Sequence, residues 1–308
     1  MTLLTPEDVY IQLEHNQPLH RADLSGIDLQ NSCLDRARFL EVYLQQANLN
    51  GASCRKSDFR QASLQQAMLV AVDFTAANLI AAKLNQADLT RAALQCVQAE
   101  QASFHNATVD GANFQKADLT GADLRQVKGQ ATDFTAACLN GAQLSASQLS
   151  QSIFNAANLF RTHLAGAILA DTQWLGANLG WANLCCADLS GADLTNADLT
   201  ASRCRATNLS LVQLIQIEAI KADFSQAIFL EADLSYSSLF SANLSGAYFT
   251  HVQLVGTNLQ QADLSNTAWD QVDLTQAQVE GAIFSNAQGL TAQQRAWLRS
   301  EGAFDVPS

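Results

Sequence analysis

The sequence predicts an all-β solenoid: a quadrilateral parallel β-helix of about 13 coils, roughly 60 Å long at the usual spacing of stacked strands, with a short α-helical cap at each end. Two observations carry this. From Leu24 to Phe284 every fifth residue belongs to one column of 53 positions, of which 44 are Leu or Phe. Two residues upstream runs a second column, Ala22 to Ala282, containing only Ala, Ser, Thr, Val and Ile. A fixed period without insertion marks a repeat architecture.

The period excludes the simpler folds. In a helix, five residues rotate the side chain by about 140°, so no apolar stripe forms. In a flat strand an odd repeat turns alternate leucines outward. The small residue and the Leu are two apart, on the same face of a short extended piece. The next small residue faces inward only if the chain turns a corner. Four such corners close a square, so one coil is four repeat units. Leu or Phe then stacks along the axis, the small residue sits near the corner, and three positions per unit face out. These outward positions are rich in Asp, Asn, Gln, Ser, Thr and Gly.

The units Ala187-Asp188-Leu189-Ser190-Gly191 and Ala192-Asp193-Leu194-Thr195-Asn196 resemble the A-(D/N)-L-x-x consensus of pentapeptide-repeat proteins. The resemblance spans residues 22–286, and it implies a right-handed quadrilateral β-helix. Many such proteins are cyanobacterial, and most have no known activity.

Three segments are expected: a capping helix and lead-in over 1–20, the β-helix over 21–287, and a capping helix and tail over 288–308. Thr5-Pro6-Glu7-Asp8 reads as an N-cap, an N1 proline and an acidic first turn. A helix over 6–15 would turn Val9 and Leu13 to the first coil. Thr291-Ala292-Gln293-Gln294 reads as a capping box, with the helix running to Ser300 and Gly302 as its stop. Leu290, Trp297, Leu298 and Phe304 would cover the last coil. Trp297 has a second reading, as a dimer contact. Among the axial positions, Ala99, Gly129 and Ala219 are small, Trp174 and Trp269 large, and Val127-Lys128-Gly129-Gln130 is the expected bulge.

Chemistry is sparse. There is no G-x-S-x-G, no H-E-x-x-H and no P-loop, and the five histidines occupy unrelated columns. No two of the seven cysteines are 20 apart, which fits reduced thiols. No enzyme activity, cofactor or metal is expected. Fifteen Asp precede the axial residue, and Asp198 and Glu218 are the carboxylates stacked 20 apart. Asp at this density is read as satisfying corner amides. With no apolar run long enough to span a bilayer and no Lys/Arg-led signal region, a soluble, cytoplasmic protein is expected.

A net charge of −12 disfavours direct nucleic-acid binding. It raises an alternative from the resemblance, since some pentapeptide-repeat proteins mimic DNA and bind DNA gyrase. The leading expectation is a monomeric protein-interaction scaffold or regulator, such as a differentiation or signalling modulator in a cyanobacterium-like cell; a dimer through the C-terminal end is the other oligomeric possibility. The main candidate contact surface is Phe160, Arg161, Trp181, Ile220, Lys221 and Phe240, with Leu40 and Ile80 lower on the same column. A second is the basic patch Arg36, Arg38, Arg55, Lys56 and Arg60. Opposite charges are expected to stack as Arg21 with Glu41 and Asp35 with Arg55. Ile228 and Tyr248 form a smaller apolar stack, and Gln46, Gln66, Gln86, Asn106 and Gln126 a polar ladder.

Overall fold

The computed structural model describes residues 4–15 and 17–308; residues 1–3 and 16, part of the expected 1–20 segment, lie outside them. The chain divides into two compact units, Met1–Asn158 and Leu159–Ser308.

In the first unit, α1 (Pro6–Glu14) begins at Thr5, whose hydroxyl accepts the Asp8 amide while the Asp8 carboxylate accepts the Thr5 amide. This capping box satisfies two of the helix's orphan donors. Val9 is fully buried, and the Tyr10 hydroxyl lies 2.6 Å from that of Ser32.

Beyond it, residues 20 apart pair in parallel: Asp23 with Tyr43, Tyr43 with Ser63, Ser63 with Lys83, and so on in each column. The bonds follow one rule. The axial amide donates to a carbonyl of the following coil, as Leu24 to Tyr43 at 2.7 Å. The outward amide donates to a carbonyl of the preceding coil, as Tyr43 to Ala22 at 2.9 Å. The corner closes through the next small residue, as Ile27 N–H to Leu24 C=O at 3.1 Å. These are β-turns with φ > 0 at their third residue, the type II requirement. Glycine serves there at Gly26 and Gly51, but most corners place other residues at φ near +57°, including Arg21 at 57° and Gln46 at 59°. The left-handed corner is thus imposed by coil closure against local preference.

The axis is buried and closely stacked. Phe39 stacks on Phe59 with centroids 4.7 Å apart, and Phe114, Phe134 and Phe154 continue at 5.1 and 4.9 Å. The expected bulge at Val127–Gln130 is absent. Lys128 pairs in register with Gln148, and Gly129 N–H donates to Gln148 C=O at 2.8 Å. Gly129 is small because its space is filled: a Cβ there would meet Val109 Cγ2 at 2.5 Å, Thr132 Oγ1 at 2.6 Å and Leu149 Cδ2 at 2.9 Å. Ala99 likewise keeps register, its amide donating to Asp118 C=O at 2.8 Å.

The second unit follows the same rule. It contains β1 (Ile228–Leu230), β2 (Tyr248–Thr250) and β3 (Ala268–Asp270), parallel in the order β1-β2-β3. Phe229, Phe249 and Trp269 stack at 5.1 and 4.5 Å. Trp174 and Trp269 fit the axis because each indole N–H donates to a buried threonine two residues upstream, Thr172 at 2.7 Å and Thr267 at 2.8 Å. Buried hydroxyls of the small column are bonded in turn, as Thr207 to Leu184 C=O at 3.0 Å and Thr257 to Leu234 C=O at 2.8 Å. Ala219 is also in register, through Ser238 C=O at 2.8 Å.

The unit ends in α2 (Ala292–Ser300), opened by the capping box of Thr291 and Gln294. Gln294 Nε2 also donates to Val272 C=O at 2.9 Å, and Gly302 follows at φ 81°. Leu290 and Leu298 are buried and Trp297 half-buried. Phe304 departs from expectation. Counting by 20 puts it above axial Phe284, yet it pairs with outward Ile283 and is 61 % exposed. The α2 excursion shifts the register by one residue, and a one-residue slip turns a side chain to the other face.

Candidate interaction surfaces

The acidic column has a local role. Each of its fifteen Asp accepts the backbone amide two residues on, from Asp23 with Ser25 at 3.1 Å to Asp273 with Thr275 at 2.8 Å. Asn substitutes for it, as Asn48 with the Asn50 amide at 3.2 Å. These Asx turns shape the corner. Asp198, paired with Glu218, is bound in the same way to the Thr200 amide at 2.8 Å. Among the described residues no three His, Cys, Asp or Glu are grouped to hold a metal, and no helix is long and apolar enough to cross a membrane. All seven cysteines are free; burial pushes the Cys204 thiol up to about 12.

In the first unit the structure brings the basic patch together and partly neutralises it. Arg60 holds Asp58 in a two-pronged pair, Nε to Oδ1 at 2.8 Å and Nη2 to Oδ2 at 2.7 Å. That bonding keeps the Asp58 carboxyl below its ordinary value. Arg55 does not pair with the side chain of Asp35. Its Nε reaches Asp73 at 2.6 Å, while Asp35 accepts the Arg55 backbone amide at 3.0 Å and the Ser53 hydroxyl at 2.5 Å. A first-corner residue lies beside the outward residue 18 positions on, as Asn85–Ser103 and Gln115–Asp133 also show at 2.8 and 2.6 Å. Arg21 with Glu41 stacks as expected at 2.7 Å. Arg36, Arg38 and Lys56 are left outside the ion pairs of the described residues. Arg36 and Arg38 line a pocket of 520 Å³ with Leu13, Gln17 and Asp35. In the polar ladder Gln46, Gln66 and Gln86 are linked at 3.0 and 2.9 Å. Leu40 and Ile80 are half-buried.

In the second unit the residues of the strip lie along one backbone-bonded ladder and are uneven in exposure. Arg161 N–H donates to Gly180 C=O, Trp181 to Thr200, Ala201 to Ile220 and Lys221 to Phe240, at 2.9 to 3.0 Å. Arg161, Trp181, Ala201 and Lys221 therefore rise along one corner. Trp181 is 59 % exposed on a left-handed backbone, φ 59°. Phe160, Ile220 and Phe240 are only half-buried, and Gly180 and Thr200 separate the first two. Gly180 explains Phe160: a Cβ there would come within 3.3 Å of the ring, so the phenyl lies against bare backbone. The Arg161 guanidinium carbon sits 5.2 Å from the Phe160 centroid, within cation–π range.

Two features escaped the sequence reading. The Ile228–Tyr248 stack is joined by Leu230 and Leu211, with Leu211 57 % exposed and its amide on Leu230 C=O at 2.7 Å. Arg203 and Arg205 are exposed on the side next to the Trp181 corner. Placing every cation of the sequence by column and coil would have found both arginines.

The model of the family Pentapeptide repeats matches overlapping segments that cover residues 22–200 and 207–288. No curated protein matches. Among solved structures, HetL, a pentapeptide repeat protein involved in heterocyst differentiation regulation from the cyanobacterium Nostoc sp. strain PCC 7120, is 24 % identical, covering 91 % of this chain and 97 % of its own, with a TM-score of 0.35. Trypsin-treated QnrB1, a plasmid-mediated fluoroquinolone resistance protein, is 16 % identical over 59 % of this chain and 95 % of its own, also at 0.35. A pentapeptide repeat protein from the Arabidopsis thaliana thylakoid lumen is 24 % identical over 54 % and 81 %, at 0.19. Membership rests on the repeats rather than on these superpositions: with its period, its axial Leu and Phe and the matched segments, the chain belongs to the pentapeptide-repeat family.

Proposed function

We propose that the chain is a non-catalytic protein-interaction scaffold or regulator whose principal contact is the strip of Phe160, Arg161, Trp181, Ile220, Lys221 and Phe240. Each unit is taken as right-handed quadrilateral β-helix, with α1 and α2 acting as caps. The observation that carries the reading is Trp181, a residue 59 % exposed on a corner locked by backbone bonds, beside a cation. Exposed aromatics next to Arg are what interface hot spots contain. The regulatory setting suggested by the family resemblance, a modulator in a cyanobacterium-like cell, belongs to this proposal.

The test begins with affinity purification of the native partner, followed by binding measurements on Trp181→Ala with Phe240→Ala. Binding is expected to weaken by about 2 kcal/mol or more, with the melting temperature nearly unchanged. Full retention would discard the strip and promote Arg36, Arg38, Arg55, Lys56 and Arg60. The net charge of −12 supports a second reading, an acidic DNA mimic acting on gyrase. The interleaving of the column Asp with neutral Asn and Gln, which interrupts an anionic track, weighs against it. Dose-dependent, salt-sensitive inhibition of supercoiling by purified protein would reverse that preference.

A further inference from the structure

We propose that the partner of this strip presents an acidic, extended peptide segment, and that Arg203 and Arg205 belong to its binding surface. The inference rests on the strip being a contact. Between residues 160 and 246, one side of the second unit consists of the corner at 160–161, 180–181, 200–201 and 220–221, the outward positions 163, 183, 203 and 223, and the next corner at 165–166, 185–186, 205–206 and 225–226. Arg161, Arg203, Arg205 and Lys221 all lie there, and they are the only Lys or Arg of residues 159–288. Between residues 160 and 246 Asp223 is the one carboxylate on that side, Asp263 and Glu280 falling on it only further along the chain, and Asp223 is bound to the Ser225 amide at 3.0 Å and to Asn243 Nδ2 at 3.1 Å. The remaining sides of those coils hold Asp171, Asp188, Asp193, Asp198, Glu218, Glu231 and Asp233, with no cation.

Charge is thus segregated around the coil, and among the described residues none of the four cations is held in an ion pair. Arg205 bonds only the neutral Gln226 side chain, at 3.3 Å. Such an arrangement attracts and orients an anionic partner while the acidic remainder repels it from every other side. Five coil levels from Phe160 to Phe240 span roughly 19 Å, the reach of about six extended residues. Trp181, Ile220 and Phe240 give that segment an apolar contact between the charges. A nucleic acid fits less well, because its uniform charge would meet only four cations on a unit that carries 6 Lys and Arg against 14 Asp and Glu.

The experiment uses the full chain and a labelled peptide of glutamates around one central leucine, with the matching glutamine peptide and a single-stranded oligothymidylate of similar length as comparisons. The glutamate peptide is expected to bind at least about tenfold tighter than the glutamine peptide, and more weakly as salt rises. Arg203→Glu with Arg205→Glu should weaken it at least about tenfold while the melting curve is unchanged, both side chains being exposed. Equal binding of the two peptides, full binding by the charge-reversed variant, or tighter binding of the oligothymidylate overturns the proposal. The native partner separates the two levels. Loss on Trp181→Ala with Phe240→Ala but not on charge reversal keeps the strip and rejects the acidic class; retention by both variants rejects the strip itself.

Discussion

The two units carry the same backbone rule and differ in how they handle positive charge: among the described residues, four of the eleven Lys and Arg of the first are ion-paired, and none of the four repeat cations of the second. In the first, Arg55 and Arg60 are answered by Asp73 and Asp58 at 2.6 and 2.7 Å. In the second, the four repeat cations cluster on one side without an ion pair among the described residues, with a 59 % exposed Trp beside them. Exposed ion pairs contribute little to stability, so the difference matters more for recognition than for folding. A neutralised arginine is held in place and offers little net charge; an unanswered one keeps its field for a partner.

The contrast should vanish at the core, where the units follow one rule. Leu64 and Leu189 are both fully buried. Leu64→Asp or Leu189→Asp would place an unpaired charge in a buried apolar axis, and loss of cooperative folding is expected in either case. Asp188→Asn should change stability by about 0.5 kcal/mol or less, because Asn supplies the same acceptor to the corner amide. Thermal melts that show Leu189→Asp and Asp188→Asn equally stable would refute the register.

Two glycines sharpen the contrast between axis and surface. Gly129→Ala brings a Cβ within 2.5 Å of Val109 and 2.6 Å of Thr132, and overpacking of that kind costs about 1–3 kcal/mol. Gly180→Ala meets Asn178 Oδ1 and the Phe160 ring at 3.2 and 3.3 Å, contacts that a shift of a few tenths of an ångström relieves. Chemical denaturation should therefore show a clear loss for the first and a change below about 0.5 kcal/mol for the second. A larger loss at Gly180 would mean that Phe160 is part of the structural core rather than of a contact surface.

The smallest effect concerns pH. Asp58 is held below its ordinary value by Arg60, chiefly through their side-chain hydrogen bonds. Its folded-state pKa lies below the unfolded value of about 3.9, so the pair's contribution is complete above that pH and fades as pH falls through the lower folded value. Asp58→Asn preserves the corner acceptor and removes the charge. The stability gap between the native chain and this variant should be small, under about 1 kcal/mol at neutral pH, and should close below about pH 4. A gap in melting temperature that persists in acid would assign the effect to the turn rather than to the ion pair.

The two columns were enough to identify the coil length, the axial residues and the outward Asp positions, because each repeats a steric condition that any neighbouring coil must satisfy. The left-handed corner was less legible. Gln occupies it about as often as Gly, and Ala, Arg and Lys are found there too, so nothing in the residue types announces φ near +57° at Arg21 or Lys116. The candidate surfaces were half legible. Counting by 20 placed Trp181 one coil above Arg161, but it could not show Phe160 lying against Gly180 or the Arg55 side chain choosing Asp73 over Asp35.

What the sequence by itself determined is the periodic part: which residues line the axis, which stack 20 apart, and where helices begin at Thr5 and Thr291. These follow from short-range sterics and capping chemistry repeated at fixed spacing. Only the tertiary structure decided the aperiodic part: the filled space at Gly129, the outward turn of Phe304, and which cations are left unpaired. Those outcomes depend on side chains reaching between coils and on the length of the α2 excursion, neither of which is contained in the repeat rule.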